Sequence, residues 1–266
     1  TWIADRKDDP DSSPGQVRHY YLDTSDCLGS EWDWDPVSKR LGYSYLLDYG
    51  DVSLDFISFG ALARPWDRIQ RAKGREMFGY FNVDAFDPEG WKNEYPNPAF
   101  SRMTERDGAW MARILAGFTP DDVAALAKLG RFSDVGNIAY LQRVLEGRLQ
   151  RLLARYLGRL SPVTHARIEG DMLCGVDLAQ KRGVRPPSAF HFSARTDRGG
   201  SLAASASDDG RVCVKLAHVA GAGGGGDSAA RYFAVRIDDG FAKDPLVAYV
   251  YDLGDGGFRL AGLERP

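Results

Sequence analysis

The stretch from Asp134 to Pro162, DVGNIAYLQRVLEGRLQRLLARYLGRLSP, decides the fold class. Ile138, Leu141, Val144, Leu145, Leu149, Leu152, Leu153, Tyr156, Leu157 and Leu160 recur at helical spacing and give one broad apolar face. The spacing predicts a long helix from about Asp134 to Arg159, stopped by Ser161-Pro162. Two shorter helices precede it. Thr119-Pro120-Asp121-Asp122 offers an N-cap, a proline at the first helical position and acids at the positive end of the helix dipole, with Gly130 as the stop. Thr104-Glu105-Arg106-Asp107 approximates a capping box. Trp110, Met111, Ile114, Leu115 and Phe118 follow it as one apolar stripe.

On the C-terminal side the period changes from 3.6 to 2 beyond residue 186. Candidate strands are Ala189–Ala194, Val212–Ala217, Tyr232–Ile237, Leu246–Tyr251 and Phe258–Leu263, joined by turns rich in Gly, Asp and Ser. Gly221–Gly226 reads as a flexible loop between two of them. Five short strands in sequence predict a small antiparallel sheet or sandwich. With Arg185-Pro186-Pro187 at the change of period, the expected division is residues 1–185 and residues 186–266.

On the N-terminal side the polar, turn-rich residues 5–16 read as a hairpin-like connection into a strand at Val17–Leu22. From Asp23 to about residue 103 the expectation is irregular chain. It carries many rings, among them Trp32, Trp34, Tyr43, Tyr45, Trp66, Phe78, Phe81, Trp91, Tyr95 and Phe100. So many large rings predict loops that pack down.

Composition narrows the function without choosing it. The 266 residues carry 34 Lys and Arg against 37 Asp and Glu, a formal net charge of −3, which argues against a dedicated nucleic-acid binder. No apolar run is long enough to cross a membrane as a helix. Cys27, Cys174 and Cys213 are odd in number and widely spaced, so a disulfide framework or structural zinc is not expected and at most one pair can join. The opening Thr1-Trp2-Ile3-Ala4-Asp5 reads like the middle of an ordered segment, so the chain is expected to be a fragment or a processed product.

Candidate chemistry is sparse. His19, His165, His191 and His218 have no zinc-ligand spacing, and neither a nucleophile elbow nor a P-loop is present. Trp32-Asp33-Trp34-Asp35 has the composition of a sugar platform, but such corners are more often packing. The most suggestive junction is His19-Tyr20-Tyr21-Leu22-Asp23, an acid at the end of an apolar strand, where phosphotransferases place a magnesium ligand. Asp26, three residues on, is the second candidate ligand, and the plainer reading is that both acids cap the turn that follows.

The run from His19 to about Pro162 resembles the C-terminal half of an uncharacterised bacterial family that is kinase-like, of the HipA-like and phosphatidylinositol-kinase-like branch. The residues carrying it are His19 to Asp23, Leu28-Gly29-Ser30, Ala63-Arg64-Pro65-Trp66, Phe86-Asp87-Pro88 and Trp91 through Tyr95-Pro96-Asn97-Pro98-Ala99-Phe100, with Asp107, Trp110, Ala112-Arg113-Ile114 and the terminal Gly262-Leu263-Glu264-Arg265-Pro266. The resemblance implies an α+β fold, a kinase C-lobe-like helical part with long packed loops followed by the small antiparallel β module. It also implies Mg and ATP as cofactors of a longer protein, with Asp23 at the position of the aspartate in an Asp-Phe-Gly motif. Here that motif reads Asp23-Thr24-Ser25, and no Asp-x-x-x-x-Asn segment precedes it. No catalytic residue is therefore assigned, and residues 1–266 alone are expected to be an incomplete phosphotransferase that binds Mg-ATP poorly. The alternative is a non-catalytic binding module that meets a protein or glycan through its aromatic loops or its β module.

Overall fold

The computed structural model describes residues 2–5, 17–20, 28, 35–219 and 231–265. The chain forms two compact units: Thr1–Phe86 with Gly90–Pro96, and Asp87–Glu89 with Asn97–Pro266. Helices and antiparallel sheets are both present, an α+β fold with an antiparallel β module. Among the described residues no helix is long and apolar enough to cross a membrane.

In the first unit, β1 (Trp2–Asp5) and β2 (Val17–Tyr20) pair antiparallel, with Trp2 opposite Tyr20 and Asp5 opposite Val17. This is the hairpin arrangement that the polar connection implies. Two helices follow, α1 (Asp35–Arg40) and α2 (Tyr49–Ser58). The stretch expected to be irregular thus contains a helix of 10 residues, started by Asp48, whose Oδ1 accepts from the amides of Gly50 and Asp51 at 3.1 and 3.3 Å. Gly42 forms a bridge with Lys92 at φ +88°, and a Cβ there would lie 2.3 Å from the Trp91 ring. Only glycine meets both demands. The rings of this unit divide: Phe78, Phe81 and Phe86 are buried, whereas Tyr49, Phe56 and Phe59 are exposed.

The second unit opens with α3 (Pro98–Ser101), α4 (Glu105–Leu115), α5 (Pro120–Leu129) and α6 (Val135–Tyr156). Both capping boxes form. The Thr104 amide donates to Asp107 at 2.8 Å, and the Thr119 amide donates to Asp122 at 2.8 Å. Asp134 caps α6 through the Gly136 amide at 2.8 Å. A bidentate pair, Arg155 to Glu105 at 2.7 and 2.9 Å, joins α6 to α4.

The face that α4 buries differs from its apolar stripe. Gly108, Ala109 and Ala112 are its buried residues, while Trp110, Met111 and Ile114 are exposed. A Cβ on Gly108 would stand 2.4 Å from the Tyr156 ring. Small residues are what allow α4 to approach α6 so closely, and the large side chains are left outside.

Among the described residues nine strands follow. β3 (Val163–Glu169) and β4 (Met172–Asp177) form a hairpin ahead of the change in period; α7 (Leu178–Lys181) comes next. Then come β5 (Ser193–Thr196), β6 (Ser201–Leu202), β7 (Ala204–Ala206), β8 (Arg211–Lys215), β9 (Tyr232–Asp238), β10 (Leu246–Asp252) and β11 (Phe258–Glu264). They make two antiparallel sheets, ordered β3-β4-β8-β7 and β11-β10-β9-β5-β6. Val212 and Val214 from the first sheet share one core with Phe233, Val235, Ile237, Leu246, Ala248 and Val250 from the second. Alternation puts Arg211 and Lys215 on the solvent side of β8 and Arg236 on that of β9.

A second core joins Ala112 and Ala116 to Leu149, Leu153, Tyr156, Leu157, Leu178, Ala179 and Phe190. The boundary expected at residues 185 and 186 falls inside this unit, where Phe190 shares a core with α6. One cysteine pair does join. Cys174 and Cys213 face each other across β4 and β8, bonded, with Cα atoms 4.1 Å apart. The flanking amide bonds, Leu216 to Asp171 and Asp177 to Gly210, make this a non-hydrogen-bonded pair, the register position where opposite Cβ atoms lie closest.

Candidate interaction surface

Helix α2 is turned inside out. Its acids make the tertiary contacts. Asp48 pairs with Lys92 Nζ at 2.7 Å, which holds its carboxyl below the usual carboxylate range. Arg64, with only 11% of its side chain exposed, reaches Asp51 Oδ1 at 3.3 Å, the Asp51 carbonyl at 2.7 Å and Asp55 Oδ1 at 2.6 Å. The Trp66 ring lies under the guanidinium groups of Arg40 and Arg64, at 5.6 and 5.8 Å.

No residue of α2 is buried. Tyr49, Phe56 and Ile57 are 75, 81 and 74% exposed, Phe59 just past the helix is 94% exposed, and Val52 and Leu54 are also open. Tyr49, Val52, Phe56 and Phe59 recur at steps of three, four and three, one stripe along the helix. A contiguous set of large apolar side chains on a polar base is the signature of a surface that another molecule covers.

A second apolar feature lies in the other unit. Ile114, Gly117, Phe118, Asp122, Ala125, Leu126 and Leu129 line an open groove of about 470 Å³ along α4 and α5.

Two pairs of titratable side chains in the second unit join residues far apart in sequence. Asp177 and Asp239 are buried and face each other. Oδ1 of Asp177 accepts from the Gln180 amide at 2.8 Å, and Oδ1 of Asp239 accepts from Phe241 and Ala242 at 2.8 and 2.7 Å. Neither Oδ2 has a donor, so one proton held between them satisfies both. Burial, reinforced by the Asp239 charge, pushes Asp177 up to about 7.

In the second pair, buried Asp252 accepts from the amides of Val219 and Gly254 at 2.7 and 2.8 Å and faces His218 Nδ1 at 2.8 Å. These donors hold its carboxyl low against the opposing effect of burial. The His218 ring stacks on Phe258 with centroids 4.8 Å apart. Spacing along the sequence gives no hint of either pair, because 62 and 34 residues separate the partners.

Asp23 and Asp26, the candidate magnesium ligands, lie outside the described residues, as do Cys27, Trp32, Trp34 and the glycine run at 221–226. Among the described residues no group of three or more His, Cys, Asp or Glu is placed to hold a metal ion. No family model, curated protein or solved structure matches the chain.

Proposed function

We propose that this chain is a non-catalytic interaction module whose α2 helix docks into an apolar groove of a protein partner. The observation that carries this reading is the inversion of α2: its acids are tied inward to Lys92 and Arg64, and Tyr49, Val52, Phe56, Ile57 and Phe59 face outward. An amphipathic helix that lays anchors at i, i+3 and i+7 into a groove is a recurrent recognition mode. The aliphatic Val52, Leu54 and Ile57 among the rings favour a protein over a glycan, since they offer a sugar's hydroxyls no hydrogen bonds.

A photo-crosslinking residue at position 56, in cells that express the protein natively, tests this. The expected result is one discrete adduct, absent when the crosslinker replaces Arg259 and lost when Ile57→Asp is added. Smeared or identical labelling at both positions overturns the proposal.

The phosphotransferase reading rests on the sequence resemblance, with Asp23 and Asp26 as magnesium ligands and ATP as nucleotide. Calorimetric titration of Mg-ATP into residues 1–266 separates the two. The interaction reading expects no saturable heat, and micromolar affinity would replace it with the phosphotransferase.

A further inference from the structure

The two sulfurs of the Cys174–Cys213 bond have different surroundings. Leu173 of β4 and Val212 and Val214 of β8 enter the core, so alternation turns Cys174 and Cys213 to the opposite, outer face of their sheet. Cys174 is only 3% exposed, whereas Cys213 is half-buried. Arg167 of β3 stands opposite Cys174 in the register, and Ser205 of the edge strand β7 stands opposite Cys213. The bond crosses from β4 to β8. A thiolate displaces a sulfur in line, so access decides which end is attacked. The line to Cys213 Sγ passes over β7, where the exposed Ser205 carries a small side chain. The line to Cys174 Sγ passes over β3, where Arg167 stands.

The charges are as one-sided as the access. Arg211 Nη2 lies 3.9 Å from Cys174 Sγ and is held there by an ion pair with Glu169, which also takes Arg167 at 2.7 Å. Lys215, further along the outer face of β8, pairs loosely with Asp171 at 3.8 Å. Three cations against two acids leave this patch positive, which draws in an anionic nucleophile. A guanidinium beside a sulfur stabilises the negative charge that grows on it when the disulfide opens.

We propose that the Cys174–Cys213 bond is a thiol–disulfide exchange site, at which a small carboxylate-bearing thiol of the glutathione class modifies Cys213. The thiol gives its proton to water and attacks Cys213 Sγ as the thiolate. A new sulfur–sulfur bond forms there, the bond to Cys174 breaks, and its electron pair leaves on Cys174 Sγ beside Arg211. A second thiolate that attacks the sulfur of the bound thiol releases Cys213 as a thiolate. The protein disulfide is then reduced by two electrons and the small thiol has become its own disulfide.

Treatment of the oxidised full chain with reduced glutathione tests this, with acid quenching, alkylation and peptide mapping at intervals. The native protein should react at a rate proportional to glutathione and indifferent to urea below the unfolding transition. A reaction that waits for unfolding overturns the proposal, because the bond is then merely structural. The adduct should map to Cys213. In Cys174→Ala, treated with oxidised glutathione, it should persist, since no neighbouring thiol can expel it. An adduct on Cys174, an equal split, or none on Cys213 in either protein overturns the site. Arg211→Met should slow the wild-type reaction about fivefold, and Arg211→Lys, which keeps the charge, should restore most of the rate. Equal rates in all three proteins would remove Arg211 from the step and overturn the proposal as stated.

Discussion

Helices α2 and α6 both carry apolar residues at helical spacing, yet α6 buries Leu141, Val144, Leu149, Leu153 and Tyr156 whereas α2 buries nothing. The difference lies in what stands opposite. Along α6 stand the small residues of α4 and the apolar side chains of α7 and Phe190, a surface that excludes water. Along α2 stand Arg64 and Lys92, which select its acids. Periodicity says which residues share a face; it does not say which face the rest of the chain covers. Among the described residues both apolar core clusters belong to the second unit.

Experiments can break or sharpen that contrast. The largest effect should come from reducing Cys174–Cys213, which closes a loop with a sequence separation of 39. On the loop-entropy account its loss costs about 4 kcal/mol, on the order of 10 °C in melting for a unit of this size. Far-UV circular dichroism with and without reductant should show it. Tryptophan fluorescence should respond less, because Trp110 is the one tryptophan of the second unit. A fluorescence change as large as the dichroism change would break the contrast.

Leu153→Ala should cost about 3 kcal/mol in chemical denaturation, since Leu153 is fully buried at the centre of the helical core. A cost below about 1 kcal/mol would mean that the core is loosely packed.

The Asp177–Asp239 pair predicts a pH dependence. The folded pKa of Asp177 lies above its unfolded value near 4, so the folded state binds the proton more tightly. This group's contribution is fully present below about pH 4 and is lost as pH rises through about 7, by at most about 1.4 kcal/mol per pH unit. Asp177→Asn keeps the acceptor for the Gln180 amide and removes the charge. It should flatten melting temperature against pH over that window and melt above the wild type at pH 8. An unchanged slope would assign the dependence to other groups.

The smallest effect should come from Phe56→Asp. With the side chain 81% exposed, its stability cost should stay within about 0.5 kcal/mol. A larger cost would show that α2 has a covering surface within its own molecule and would remove the basis for docking.

The short β3–β4 hairpin shows how a visible signal can be passed over. Gly170-Asp171 between Glu169 and Met172 is a two-residue turn pair, with Gly170 at φ +63°. Ala166 and Ile168 alternate with polar residues before it, yet the long apolar helix just upstream makes the change of period easy to place too late. In the first unit α2 is obscured for another reason. Its apolar and acidic residues are interleaved and bounded by glycines, so the stretch reads as loop until Asp48 is seen accepting from two amides. Of the candidate site, Arg64 and the α2 rings stand in plain view in the sequence, but nothing local says that the arginine turns the helix over.

What the sequence determined by itself is therefore local. Thr104, Thr119 and Asp134 start three helices because a side-chain oxygen two or three residues from an open amide can reach it whatever the rest of the chain does. Alternation places β9, β10 and β11 because successive side chains must leave a strand on opposite faces. Tertiary structure alone decided that α4 buries Gly108 and Ala112 in place of Trp110, that α2 faces its rings outward, and that Cys174 meets Cys213, Asp177 meets Asp239, His218 meets Asp252 and Arg265 meets the carbonyls of Ser161 and Val163. Burial and pairing depend on groups tens to more than a hundred residues apart, and which of them come together is fixed when whole elements pack, not by any residue's neighbours in the chain.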